Sequence, residues 1–160
     1  MKRLIFLGLI IATSAAAESK IKLLVALTPA GSFEAVSEKL KGNLIQKNGE
    51  LTADKLWVSI ESFKTGIDLR DEHFWRHMRS NVHTKAVITD VKGKAGKATG
   101  TLEINGVKKT ISMNYKEKEG DIFTTFMVKA SDFNLPKVEY LGIGVSNDIK
   151  IEAIYPYVKK

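Results

Sequence analysis

The stretch GTLEINGVKKTISMNY, residues 100–115, decides the fold class of this chain. Apolar and polar residues alternate on both sides of Asn105 and Gly106, a pair that favours the positive φ angles of a tight hairpin turn. Successive side chains of a strand point to opposite faces, so this stretch predicts two antiparallel strands that share an apolar face. The two strands are predicted over residues 98–104 and 107–115.

The same period of two recurs along most of the chain, interrupted by turns that contain glycine or asparagine. Turns are predicted at the Asn48-Gly49 pair and at residues 146–148. The further strands are predicted over residues 21–27, 33–44, 55–62, 82–91, 122–130, 139–145 and 149–155. Some of these are fragments of longer strands, so we predict an all-β fold, an antiparallel barrel of about eight strands.

One segment departs from this period. Residues 68–79 carry acidic side chains early, basic side chains late, and apolar side chains at Leu69, Phe74, Trp75 and Met78. That arrangement is typical of a short helix with a favourable dipole. We predict that Phe74 and Met78 face the mouth of the barrel and that the indole N–H of Trp75 points to water. The alternative is a helix on the outer face, anchored by Leu69 and Phe74.

The N-terminus has the order of a secretory signal. Lys2 and Arg3 precede an apolar run that ends in small residues up to Ala17. We predict cleavage after Ala17, so that residues 18–160 form one domain in the periplasm or outside the cell. A membrane anchor is the alternative, but the apolar run is too short for one and lacks a basic stop.

The composition excludes several classes of function. The chain has 160 residues, a formal net charge of +7 and no cysteine. Disulfides, iron–sulfur clusters and thiol nucleophiles are therefore excluded. The positive charge is spread along strands and turns, and an exported protein does not meet DNA, so we expect no nucleic-acid partner.

Two groups of polar residues are candidates for chemistry. Residues 70–73 read Arg-Asp-Glu-His, but adjacent helical side chains point about 100° apart and cannot converge on one substrate atom. We interpret them as capping and ion-pairing residues, with a lipid-headgroup role for Arg70 or His73 as the alternative. His73 and His77 have the spacing of a shared metal site, yet the residues between them supply no carboxylate. We assign no catalytic residue and no metal.

The remaining candidates for a binding site are apolar stripes, which are runs of apolar side chains at every second position of a strand. In an antiparallel barrel, a stripe of one parity lines the interior. The sequence does not show whether this interior is a filled core or a ligand cavity, and the residues alone favour the filled core. The candidate ligand-binding residues are Leu56, Val58, Ile60, Phe74, Trp75, Met78, Ile111, Met113, Phe126 and Ile151.

Three elements occur in a characteristic order. Residues 60–74 contain a Thr-Gly turn before Arg-Asp-Glu-His, residues 100–109 form the hairpin described above, and residues 130–133 read Ala-Ser-Asp-Phe. Together they resemble the YceI-like family of exported proteins. Members of that family have a lipocalin-like barrel that binds polyisoprenoid or other long amphiphilic lipids.

The resemblance implies a cavity rather than a filled core. It implies a non-enzymatic carrier of one long apolar lipid, an isoprenoid, quinone or fatty-acyl compound, because such lipids do not cross water unshielded. Two alternatives stay open: a lipid-modifying or metal-dependent enzyme on the same barrel, and a ligand-free structural or stress-related domain. We expect no cofactor and no stable membrane insertion after signal cleavage.

Overall fold

A computed structural model describes residues 19–160, and the predicted signal segment lies outside them. In this part of the chain one helix, α1 (Asp68–His77), and two short 3₁₀ helices, Ile60–Ser62 and Ala130–Phe133, interrupt a sheet of twelve strands. The strands are β1 (Lys20–Thr28), β2 (Ser32–Ser37), β3 (Lys41–Gly42), β4 (Ile45–Lys47), β5 (Glu50–Ser59), β6 (Lys85–Lys94), β7 (Lys97–Ile104), β8 (Val107–Lys118), β9 (Asp121–Lys129), β10 (Glu139–Tyr140), β11 (Ile143–Pro156) and β12 (Val158–Lys159). None of the helices within residues 19–160 is long and apolar enough to cross a membrane.

The sheet curls into a barrel because both of its edges are tied. The strand order is β12-β4-β5-β6-β7-β8-β9-β11-β1-β2, with β3 beside β5 and β10 beside β11. At one end, β12 pairs in parallel with β4. At the other, Val36 and Lys64 exchange two backbone hydrogen bonds of 2.9 Å. The predicted antiparallel barrel with one short helix is confirmed, and the strand count exceeds eight because four of the twelve segments are only two or three residues long.

The hairpin between β7 and β8 forms as predicted. Asn105 and Gly106 have φ angles of 51° and 74°. The ring of His83 packs over this turn, and a Cβ on Gly106 would lie 2.8 Å from His83 Cε1. Glycine is therefore favoured here both for its backbone conformation and for its lack of a side chain.

Two predicted strand boundaries are wrong near the place where β2 meets the segment that follows β5. The strand predicted over residues 33–44 ends at Ser37, whose hydroxyl contacts that of Ser62 at 2.6 Å and accepts a hydrogen bond from the Lys39 amide. The chain then leaves β2 and reaches β3, which pairs with β5. The strand predicted over residues 55–62 instead spans β5 and gives way to a 3₁₀ turn.

The turn predicted at residues 146–148 is also wrong, because these residues lie inside β11. They form a bulge between the pairs Val25–Ile149 and Leu27–Val145. The Asn147 side chain accepts a hydrogen bond from the Ser131 amide at 2.9 Å and donates one to its hydroxyl at 3.0 Å. Turn-forming side chains here hold a neighbouring loop and bend the strand, as bulges do, without reversing the chain.

The wall of the barrel is not paired evenly. β8 pairs with β9 only between residues 114–118 and 121–125, although both strands continue toward the end covered by α1. Thr124 donates its hydroxyl hydrogen to the Asn114 carbonyl at 2.9 Å where this ladder ends. Beyond that point β8 and β9 separate.

Candidate functional site

The barrel encloses an apolar cavity of about 140 Å³. Its walls come from two groups of buried side chains. The group distant from α1 includes Leu44, Leu51, Leu56, Ala98, Met113, Tyr115 and Ile122. The group beneath α1 includes Ile60, Met78, Leu102, Ile104 and Ile151. Phe126 packs against both groups, so the cavity runs along the barrel rather than lying at one end.

Most of the candidate ligand-binding residues line this cavity. They are Leu56, Val58, Ile60, Phe74, Met78, Met113, Phe126 and Ile151. Ile111 packs against both buried groups and Trp75 packs against the group beneath α1, but neither lines the cavity. The register that brings these side chains to one interior follows from strand parity, and their role in ligand binding stays a prediction.

Trp75 fastens α1 to the segment that follows β5. Its indole N–H donates a hydrogen bond to the Phe63 carbonyl at 3.2 Å, so the prediction that it points to water is wrong. The Lys64 ammonium lies 4.4 Å from the centre of its ring, within the range of a cation–π contact. Trp75 is therefore an anchor of the helix and not part of the cavity lining.

Arg70 and His73 lie away from the cavity. The Arg70 guanidinium is 4.9 Å from the centre of the Phe33 ring, and neither residue lines the cavity. His73 is exposed on α1. A headgroup role for these two residues stays a prediction, and it applies only to a headgroup held at the barrel end rather than inside the cavity.

Asp71 links the first turns of α1 to Thr65, which precedes the helix. Its side chain is buried, and its carboxylate accepts hydrogen bonds from the amide and the hydroxyl of Thr65, both at 2.7 Å. Burial by itself raises the pKa of this carboxyl, but the two Thr65 hydrogen bonds and the nearby Lys64 ammonium outweigh it. The net effect holds the pKa of Asp71 below its ordinary value of 3.8.

We expect Asp71→Asn to lower the free energy of unfolding at pH 7 by about 1–3 kcal/mol, because the amide loses charge-assisted bonds. A depressed folded-state pKa gives stability above about pH 4 that is lost as the pH falls further. Urea unfolding at pH 7 and pH 3 should therefore show a smaller difference between variant and parent at pH 3. Asp68→Asn, in the same first turn but exposed, is the control. An equal loss for Asp71→Asn at both pH values would contradict the electrostatic explanation.

The sequence matches the YceI-like domain family over residues 12–154. The chain belongs to the YceI-like family. No sequence among the curated proteins matches it. The match to the family model confirms the predicted resemblance.

Solved structures with the same fold extend this finding. BcnA of Burkholderia cenocepacia aligns with a TM-score of 0.69 at 16% identity, over 85% of this chain and 94% of BcnA. A polyisoprenoid binding domain from Saccharophagus degradans aligns with a TM-score of 0.64 at 17% identity, over 86% and 92%. The Campylobacter jejuni YceI protein aligns with a TM-score of 0.55 at 18% identity, over 76% and 82%. At these identities the likeness concerns the fold.

Most polar side chains buried in this YceI-like barrel have structural partners, although Oδ1 of Asn105 and Oδ1 of Asp121 accept no hydrogen bond. Ser80 donates its hydroxyl hydrogen to a Glu61 carboxylate oxygen at 2.9 Å, and the Asn105 amide group donates to the Phe133 carbonyl at 3.0 Å. Within residues 19–160, no three His, Cys, Asp or Glu side chains come together as metal ligands. The lining of the cavity is apolar. Its chemical effect is therefore to exclude water from an apolar ligand.

Several lining residues of this YceI-like barrel were absent from the sequence prediction. Phe63 is buried, lines the cavity and makes an edge-to-face contact with Phe74, with ring centres 5.8 Å apart. Leu51 of β5 also lines the cavity, and the buried Ala53 continues the same apolar alternation without lining it. Their alternation directly after the Asn48-Gly49 turn was the available signal, but the stripe changes parity before Leu56.

Proposed function

We propose that this YceI-like chain is a non-enzymatic carrier in the periplasm or outside the cell, enclosing one long apolar lipid. The observation that carries the proposal is the apolar cavity running along the barrel axis. Burying a methylene group there gains about 0.8 kcal/mol, which favours isoprenoid, quinone or fatty-acyl chains. The name of the Saccharophagus relative, a polyisoprenoid binding domain, points in the same direction. The signal-like residues 1–17 support export.

The cavity is too small for a long lipid chain, so the barrel must expand when it binds one. A dry apolar cavity of about 150 Å³ holds a ligand as small as benzene. Pockets for larger ligands commonly measure about 300–1,000 Å³, so a long chain needs more space than the 140 Å³ present here. Met78 and Met113 line the cavity, and methionine side chains adapt readily because they are unbranched and flexible. We therefore expect ligand binding to displace Phe74 and the methionines.

Two other functions make different demands on the cavity. A lipid-modifying enzyme needs convergent polar groups at the bound chain, and the polar side chains of Ser37, Asp71, Ser80 and Asn105 are buried outside the lining. A ligand-free structural domain needs a packed interior, whereas native cores leave few voids larger than a water molecule. The cavity favours the carrier over both.

Mass spectrometry of an organic extract tests this function directly. The full chain, exported and purified from the native compartment without detergent, should release one lipid at close to one molecule per chain. The extract from Ala153→Leu, purified in parallel, should contain much less of that lipid. A clean extract, together with no uptake of an added fluorescent long-chain fatty acid, would favour the ligand-free structural domain.

The role of α1 gives a kinetic prediction. Phe74 lines the cavity directly beneath the helix, so Phe74→Ala should speed release of a fluorescent fatty acid at least several-fold. Stopped-flow release into excess vesicles measures this rate, and Leu69→Ala, on the exposed side of α1, is the control. Unchanged release with a lowered melting temperature would make α1 a buttress. The opening would then lie between β8 and β9, where their pairing stops.

A further inference from the structure

Two neighbouring stretches of the chain contain no charged residue, although 27% of the sequence is charged. They are residues 23–33 and 140–147. Thr28 of β1 pairs with Gly144 of β11, and Tyr140 pairs with Ile143 across the β10–β11 turn. The β1–β2 turn and the β10–β11 turn therefore lie side by side. We call residues 28–31 and 140–143 the apolar tip.

The apolar tip exposes large side chains to solvent. Tyr140 is 74% exposed and Leu141 is 84% exposed, the highest value among the large apolar side chains of residues 19–160. Ile143 is exposed as well. Such side chains at a narrow turn contribute nothing to the barrel core, so their presence calls for a partner outside the chain.

The backbone conformation at Leu141 is unfavourable for leucine. Leu141 has a φ of 49°, in the left-handed region that favours glycine and asparagine. The other non-glycine residues with positive φ in residues 19–160 are Asn48, Arg79, Asp90, Ala95, Asn105, Glu119 and Asn134. Every one of them is polar or alanine. A leucine at this position disfavours the turn and increases exposed apolar area, and neither effect helps folding or solubility.

The apolar tip stands at the same end of the barrel as α1. Arg70 of α1 stacks on Phe33 of β2, and Phe33 pairs with Val25 of β1, the strand that leads into the tip. Ile67 and Leu69, at the start of α1, are also exposed. Five of the nine large exposed apolar side chains within residues 19–160 thus belong to the apolar tip and the start of α1.

We propose that this end of the protein docks on the surface of a phospholipid bilayer, with the apolar tip reaching the level of the headgroups. The absence of charge over both stretches suits the apolar side of a bilayer interface, where charged side chains are costly. A tyrosine beside aliphatic side chains is typical of that interface. Without Lys2 and Arg3 of the predicted signal, residues 18–160 carry a net charge of +5, which favours approach to anionic lipids.

A bilayer fits this surface better than a protein does. Stable protein interfaces bury about 800 Å² on each partner and keep a polar rim, whereas the apolar tip is two adjacent turns without charges. The contact is peripheral, because the tip is far too short to span a membrane. Docking does not depend on a bound lipid, but its use for collecting or delivering cargo rests on the proposed function.

Vesicle co-sedimentation tests the docking. The protein purified after export, without residues 1–17, is mixed with sucrose-loaded vesicles of phosphatidylcholine with about one-third phosphatidylglycerol, and the bound fraction is measured. Leu141→Asn should weaken binding about tenfold, because it removes the most exposed apolar side chain while favouring the turn. Met127→Asn is the matched control, since Met127 is 58% exposed on the side wall in β9. We expect it to bind vesicles like the parent.

The outcomes are distinguishable. Equal vesicle binding by Leu141→Asn and the parent, or no binding by the parent, would overturn the docking proposal. Self-association that Leu141→Asn abolishes, without vesicle binding, would assign the tip to a second copy and overturn it too. Uptake of a fluorescent fatty acid from vesicle-free solution should be the same in parent and variant. If that uptake is absent while vesicle binding persists, the carrier function fails and the docking stands.

Discussion

A lysine in place of Met113 should abolish uptake of long-chain lipids. Met113 is buried in the middle of β8, where it lines the cavity and pairs with Ala98 of β7. An ammonium group there has no acid within the apolar lining to pair with, and an uncompensated buried charge costs about 3–5 kcal/mol. That is a large share of the stability of a domain, commonly about 5–15 kcal/mol. Fluorescent fatty-acid titration and urea unfolding measure the two losses.

Ser112→Lys is the matched control for Met113→Lys. Ser112 is the preceding residue and points outward from the barrel, so its lysine stays in water. We expect this variant to unfold and to bind lipid like the parent. If Met113→Lys folds and still binds lipid with parental affinity, the ligand lies outside the barrel.

Filling the cavity should reduce lipid binding without unfolding the protein. Ala153 lines the cavity from β11 and faces the half-buried Thr124 of β9. Ala153→Leu adds three carbon atoms to the same space that a lipid chain would occupy. The loss in ligand affinity should be about tenfold to a hundredfold, with a change in stability within about 1.5 kcal/mol. This separation of binding from stability is what a solid core would not show.

Thr125→Leu controls for the substitution itself. Thr125 lies on β9 next to Thr124 and is exposed on the outer face. It should leave lipid affinity unchanged. Parental affinity in Ala153→Leu, with the melting temperature preserved, would show that the ligand does not use this part of the interior.

Local features of the sequence predict the hairpins of this fold well. Asn105 and Gly106 set the turn chemistry, and the alternation on both sides sets which face is buried, so β7 and β8 follow from adjacent residues. The helix over residues 68–79 was predicted for a similar reason, since its charge order is local, and it ends two residues earlier at His77. The interior position of Met113 and Phe126 follows from parity alone.

Features that depend on distant residues were not predictable in this way. β2 stops at Ser37 because of a contact with Ser62, and residues 146–148 extend a strand because Asn147 bonds with Ser131. The break in parity before Leu56 lies opposite Asp90 of the neighbouring strand, which has a φ of 54°. In each case the partner that decides the outcome lies far away in the sequence.

The tie between β12 and β4 has a consequence for the order in which the protein folds. The Tyr155 hydroxyl donates to the Gly42 carbonyl at 2.5 Å, a contact between residues 113 positions apart, and the Val158 amide donates to the Leu44 carbonyl at 2.8 Å. Contacts of such separation form late, since the long loop between them must first be closed. The hairpins can assemble during synthesis, but the barrel is sealed only after residue 158 is available. A newly made molecule therefore has no enclosed interior until its last strand docks, and any lipid it carries is acquired during or after that final step.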